Sequence, residues 1–163
     1  VVTKDDRPIP RGGNMAGGQV HGRGAVEWLT PPELLKSLGA FDLDPCAPVN
    51  RPWDTAAAHY TVEDDGLSRP WNGRVWLNPP YDDKAASWLE RLADHGNGMA
   101  LIFARTDTMA FHRHVWGRAD ATLFIRGRVQ FYRIDGTVGK RCGAPSVLGG
   151  LWSAKCRGVA GGA

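Results

Sequence analysis

The sequence predicts an α/β fold, an open sheet of short strands flanked by helices. Three observations carry this. Short apolar runs recur at Ala40–Leu43, Val75–Leu77, Met99–Ala104, Ala121–Ile125, Val129–Arg133 and Ser146–Trp152. Segments with apolar residues at helical spacing lie between several of them. Proline and glycine punctuate the joins. The 163 residues suit one domain, able to bury roughly 70% of its unfolded surface. A composition of 42% hydrophobic and 23% charged residues is ordinary for a globular protein.

The elements follow in order. Residues 1–24 carry Gly12, Gly13, Gly17, Gly18, Gly22 and Gly24 and few large apolar side chains, which predicts a flexible arm bearing Arg7, Arg11 and Arg23. A single domain is expected over 25–163. Trp28-Leu29-Thr30-Pro31-Pro32-Glu33 reads as a helix start, with Thr30 as cap, a proline in the first turn and Glu33 near the positive helix end. Leu34, Leu35 and Leu38 form its apolar stripe, and Gly39 ends it. Ala40–Leu43 is a strand broken by Asp44-Pro45, and 45–73 reads as irregular. Val75–Leu77 is a second strand, stopped by Asn78-Pro79-Pro80-Tyr81. Asp82 or Asp83 then caps a helix to His95, with Ala86, Leu89, Leu92 and Ala93 at helical spacing. Thr108–Trp116 reads as helical between the third and fourth strands, with Asp107 as its expected cap.

Composition excludes several function classes. No stretch approaches the roughly 18 uncharged apolar residues of a membrane span. No apolar signal core stands near the N-terminus, so nothing argues for secretion and a cytoplasmic setting is expected. Cys46, Cys142 and Cys156 are scattered and form no CxxC pair, which reads as free thiols. His112 and His114 form an HxH pair without a further ligand at metal spacing, so no metal is expected. Charge is uneven. Residues 1–104 carry 10 Lys/Arg against 14 Asp/Glu, and residues 105–163 carry 10 against 3. Arginine supplies 15 of the 20 basic residues, and its planar fork suits phosphate. Arg105, Arg126, Arg128, Arg133 and Arg141 are therefore candidate contacts to a phosphate polyanion, with a merely solvated basic surface as the alternative. Trp53, in a loop, is a candidate base contact.

In open α/β sheets ligands bind beyond the carboxyl ends of strands. Two unusual segments fall there, Phe41-Asp42-Leu43-Asp44-Pro45-Cys46-Ala47 and Leu77-Asn78-Pro79-Pro80-Tyr81. Two prolines make a rigid turn without N–H donors, so a carbonyl there can only accept. Asn78 adds a side-chain acceptor and Tyr81 an aromatic face. Two acceptors and a stacking plane suit a planar amino group on a ring.

Asn78-Pro79-Pro80-Tyr81 resembles the NPPY motif of methyltransferases that act on exocyclic amino groups. Asp42-Leu43-Asp44-Pro45-Cys46-Ala47 resembles their cofactor segment, and Trp28-Leu29-Thr30-Pro31 the Thr-Pro segment ahead of it. Asp65-Gly66-Leu67 with Trp71 resembles the adenine-proximal loop. This order, with Gly127-Arg128-Val129-Gln130-Phe131, is most similar to the phage-type DNA N-6-adenine methyltransferase (Dam) family, over about Trp28 to Trp152. The resemblance implies a Rossmann-like class I methyltransferase sheet flanked by helices. It implies S-adenosyl-L-methionine as cofactor, DNA as partner, and transfer to the N6 amino group of adenine in a bacterial or phage-infected cell. Catalytic roles fall to Asn78, Pro79, Pro80 and Tyr81. Cofactor binding falls to Trp28, Thr30, Pro31, Asp42, Asp44, Pro45, Cys46, Ala47, Asp65, Gly66 and Leu67.

The chain departs from fuller members. No glycine occurs in Asp44-Pro45-Cys46-Ala47-Pro48-Val49, and only 30 residues separate Cys46 from Trp76. That is too few for two strand–helix units, so the sheet is expected to be trimmed around its second and third strands. Glu63, Asp64 and Asp65 remain alternatives for the ribose-binding acid. Pro45-Cys46 resembles the nucleophile pair of cytosine-C5 methyltransferases, but NPPY holds the place where their thiolate stands. Cys46 is therefore read as a pocket wall. Cytosine N4 or protein glutamine as acceptor, or an inactive DNA-binding relic, are the alternative readings.

Overall fold

Val75, Trp76 and Leu77 are all fully buried, although neighbouring side chains of a strand point to opposite faces. Such a strand must be covered on both sides, and it sits near the middle of a layered fold. The computed structural model describes residues 27–151. The 1–24 segment with Arg7, Arg11 and Arg23, and likewise Trp152 and Cys156, lie outside the described residues.

The elements are β1 (Trp28–Leu29), α1 (Pro32–Leu38), β2 (Leu43–Asp44), β3 (Ala58–His59), β4 (Val75–Leu77), α2 (Ala85–His95), β5 (Gly98–Phe103), α3 (Met109–Phe111, continued by a π-helical turn His112–Trp116), β6 (Ala121–Phe124), β7 (Gln130–Arg133), β8 (Val138–Arg141) and β9 (Ser146–Leu151). Six strands form a mixed sheet in the order β3-β2-β4-β5-β9-β6. Five run in one direction and β9 runs against them. A smaller antiparallel sheet has the order β1-β7-β8.

Strand alternation sorts the core into two clusters. Val75, Leu77, Ala100, Ile102 and Val147 pack with Trp88, Leu89 and Leu92 of α2 and with Phe111 and Val115. Trp76, Leu101 and Leu148 face the other way, onto Leu35 of α1 and onto Phe131 of β7. The large sheet is thus sandwiched between α2 with α3 on one face and α1 with the small sheet on the other.

Several expectations are corrected. Trp28-Leu29 is not a helix start but a strand, because it pairs with Arg133 and Tyr132. Thr30 does not cap α1. Pro31 holds that position, and the Thr30 side chain is buried instead. The first strand of the large sheet is Leu43–Asp44, later than expected, so Asp44 lies within it. Neither Asp82 nor Asp83 caps α2 through its side chain. Lys84 stands at the cap, and Asp82 Oδ1 accepts the Lys84 N–H at 2.8 Å one turn earlier. Thr108, not Asp107, caps α3, accepting the Phe111 N–H at 3.3 Å. Gly149 and Gly150 lie within β9, which is laddered on both sides, by β5 and β6. Between β2 and β4 stands a single two-residue strand and no helix.

Candidate active site

A cavity of about 620 Å³ opens beyond the carboxyl ends of β2 and β4. The end of β2 and the turn after it supply Asp44, Pro45, Cys46 and Ala47, the loop ahead of β4 supplies Asp65, Gly66 and Leu67, and the turn after β4 supplies Asn78 to Tyr81. Trp28 and Thr30 close another side. Chain segments distant in sequence meet here because β2 and β4 are adjacent and parallel.

Asp44 is only 3% exposed. Its Oδ2 accepts from Thr55 Oγ1 at 2.5 Å and its Oδ1 from the Cys46 N–H at 3.1 Å. Burial pushes its pKa up to about 6, against the lowering effect of the Thr55 and Cys46 hydrogen bonds and the Arg51 charge. The carboxylate therefore remains mostly ionised at neutral pH. The Cys46 thiol donates to the Asn78 carbonyl at 3.3 Å. Burial first, then the Asp44 charge, raises its pKa well above the usual thiol value. Such a thiol supplies little thiolate at neutral pH, in keeping with a wall rather than a nucleophile.

The Asp65-Gly66-Leu67 turn is set by close approach. A Cβ on Gly66 would overlap the Pro45 carbonyl oxygen. Trp71 Nε1 donates to the Gly66 carbonyl at 2.8 Å, and Asp65 adopts a left-handed backbone with φ of 51°. Of the three acids left open at 63–65, only Asp65 lines the cavity. Asp64 is spent locally, its Oδ2 accepting the Thr61 N–H at 2.8 Å and the Thr61 hydroxyl at 3.0 Å.

In the Asn78 turn, the side-chain amide is held at both ends. Its Nδ2 donates to the Trp28 carbonyl at 3.0 Å, and its Oδ1 accepts from the Tyr81 hydroxyl at 3.2 Å. That hydroxyl also lies 3.4 Å from the Leu101 carbonyl. One face of the Tyr81 ring is covered by Phe103, with centroids 4.0 Å apart and planes 16° apart. The phenol is held well above its ordinary pKa by burial, so it stays a neutral donor. Pro79 is buried and Pro80 exposed.

Two expected cofactor residues stand apart. Asp42 and Pro31 do not line the cavity. Asp42 lies at the opposite, amino end of β2, where its Oδ2 accepts the Arg74 N–H at 2.6 Å. Pro31 is committed to the start of α1. Trp53 does not project as a base contact. Its Nε1 donates to the Thr30 carbonyl at 3.2 Å, and its ring packs edge-on against Tyr132. Arg105, Arg126, Arg128, Arg133 and Arg141 are all exposed and none lines the cavity. Arg105 follows β5, and Arg126 and Arg128 follow β6, on the same sheet edge as Asn78.

The cavity also takes Thr55, Thr61, Val62, Lys84 and Trp88, which sequence reasoning missed. Thr61 and Val62 follow β3, whose Ala-His sequence gives no strand signal. Among the described residues no helix is long and apolar enough to cross a membrane, and no group of three or more ligating side chains is placed to hold a metal.

The family model described as DNA N-6-adenine-methyltransferase (Dam) matches residues 23–147. The chain belongs to the Dam family. The matched span of this Dam-family protein contains every segment that lines the cavity, from Glu27 to Trp88, and runs on through β8. Membership makes it one of a family of DNA methyltransferases, a kind of transferase. No curated protein and no solved structure matches the chain.

Proposed function

We propose that this protein transfers a methyl group from S-adenosylmethionine to the N6 amino group of adenine in DNA. The observation that carries this is the meeting of Asp44–Ala47, Asp65–Leu67 and Asn78–Tyr81 around one cavity at the carboxyl edge of the sheet. The six-stranded sheet, with one antiparallel member, is compatible with a shortened class I methyltransferase fold.

The residues fit such a cofactor. Asp44 offers a buried carboxylate to the cationic methionine end. Asp65 offers acceptors to ribose hydroxyls or an adenine amino group, and Val62, Leu67 and Trp88 offer apolar walls. Thr30 Oγ1 is buried beside the same cavity without a partner among the described residues. When bound, the cofactor supplies an electrophilic methyl group on a sulfonium centre.

The chain's own task is to prepare the acceptor nitrogen. An adenine amino lone pair is delocalised into the ring and nucleophilic only weakly. Asn78 Oδ1 and the Pro79 carbonyl would accept its two hydrogens, pull the nitrogen toward tetrahedral geometry and localise the pair. The cavity-lining Tyr81 ring would stack on the base, with Phe103 bracing its other face. A base inside a duplex is out of reach, so the target must be flipped or single-stranded. Arg105, Arg126 and Arg128 would hold backbone phosphate along the same edge.

The test is titration calorimetry with S-adenosylmethionine, then mass spectrometry of nucleosides from DNA treated with protein and cofactor. N6-methyladenine is the expected product. Absence of cofactor binding, or N4-methylcytosine as the only product, would overturn the reading.

A further inference from the structure

The Asn78 amide has two distinguishable ends, and the protein assigns each a partner. Nδ2 meets the Trp28 carbonyl at 3.0 Å, which as an acceptor admits only a donor. Oδ1 is thereby turned toward Tyr81. The Trp28 carbonyl is itself fixed. β1 pairs with β7 at Trp28↔Arg133 and Leu29↔Tyr132, Gly139 of β8 packs against the Trp28 indole, and the neighbouring Thr30 carbonyl is held by Trp53.

We propose that the Trp28 backbone carbonyl is a positioning group that demands a donor at residue 78, selecting asparagine over aspartate and fixing which face the acceptor oxygen presents. This rests on the reading of Asn78 as an acceptor for the substrate amino group. A carboxylate offers two acceptors and no donor, so it would oppose one oxygen to the Trp28 carbonyl at hydrogen-bond distance. Protonation restores a donor, because a neutral carboxyl group carries one O–H. Aspartate at this position should then work only when protonated.

Other titratable groups surround Asn78. Asp44 and Cys46 come from the β2 turn, Glu27 precedes β1, and Arg133 faces Trp28 on β7. Tyr81, Asp82 and Lys84 follow Asn78 itself, and Cys142, beyond β8, acts on Tyr81. Methylation by the variant is therefore read as a ratio to wild type at each pH, with cofactor saturating for both proteins.

The experiment measures DNA methylation by wild type and Asn78→Asp from pH 5.5 to 8.5, with cofactor affinity as the check on folding. The ratio should be about 100-fold or more below one at pH 8. It should rise about tenfold per unit as pH falls, following the protonated fraction. A ratio near one at pH 8, or a low ratio flat with pH, would overturn the proposal. A second measurement uses wild-type protein labelled with ¹⁵N-asparagine. One Asn78 side-chain amide proton should lie downfield and exchange slowly, unlike that of exposed Asn50. Rapid averaged exchange would overturn the proposal even if the variant failed to fold. Should Asn78→Ala methylate like wild type, the acceptor reading falls separately, because the amide signature does not depend on it.

Discussion

S-adenosylmethionine binding should weaken about tenfold between pH 8 and pH 5, with Asp44 as the group responsible. Asp44 is the buried carboxylate in the cavity wall, and its pKa stands at about 6 against an ordinary 3.8. If the cationic methionine end binds only the ionised form, about 99% of sites are competent at pH 8 and about 9% at pH 5. The apparent Kd then rises by about one log unit per pH unit below 6. The same shift acts on the fold with the opposite sign. The folded-state pKa is raised, so this group's contribution to stability is full below pH 3.8 and is lost as pH rises through about 6. The loss amounts to about 3 kcal/mol, at 1.36 kcal/mol per pKa unit. Cofactor-free protein should therefore lose this increment between about pH 4 and pH 7, and bound cofactor should offset it. Calorimetry from pH 5 to 8, repeated in buffers of different ionisation enthalpy, checks the assignment. Near pH 6 binding should release about half a proton. Asp44→Asn should bind weakly and without pH dependence. A wild-type Kd flat across the range, or the same pH dependence in Asp44→Asn, would refute the reasoning.

Asn78→Ala and Tyr81→Ala should keep cofactor affinity and lose methylation by about 100-fold or more, read by incorporation of labelled methyl into DNA. Replacing Arg126 and Arg128 together by alanine should flatten the slope of log affinity for duplex DNA against log salt by roughly two units, leaving cofactor affinity unchanged. Gly66→Ala should abolish cofactor binding and lower Tm, because the new Cβ overlaps the Pro45 carbonyl oxygen. A calorimetric titration and a melting curve check both parts.

The strands that carry the site were legible because their apolar runs end abruptly. Val75–Leu77 is bounded by Arg74 and by Asn78-Pro79, and it forms as expected. The three segments proposed to line a cofactor pocket do meet at one cavity, apart from Asp42 and Pro31. Asp42 misled because β2 starts only at Leu43, which leaves Asp42 at its amino end, bonded to Arg74, while the cavity opens beyond the carboxyl end. The small sheet was partly hidden. β1 has two residues, and Thr30-Pro31-Pro32 beside it is a strong helix signal that local reading extends too far back. β8 did have a signal, Asp135-Gly136, with Gly136 at φ of 80°, as a tight hairpin turn requires. The Asn78–Trp28 contact joins residues 50 apart, and no local pattern announces it.

The missing helices between β2 and β4 raise the question of what holds the cofactor loop in shape. Its exposed pins, such as Arg69 Nε to the Asp64 carbonyl at 3.0 Å and Tyr60 hydroxyl to the Pro70 carbonyl at 3.0 Å, are solvated and each adds little. The buried pin is different. Trp71 is 8% exposed, its Nε1 holds the Gly66 carbonyl, and its ring stacks on Trp88 of α2 at 6.1 Å with planes 20° apart. Arg91, also on α2, lies over the Trp71 ring and donates to the Arg69 carbonyl at 2.5 Å. The loop is thus fastened to α2 rather than to a helix of its own. Since α2 begins four residues after Tyr81, one helix positions both the Gly66 turn and the end of the Asn78 turn. That shared support lets so short a chain set a cofactor wall and an acceptor site in fixed relation across one cavity.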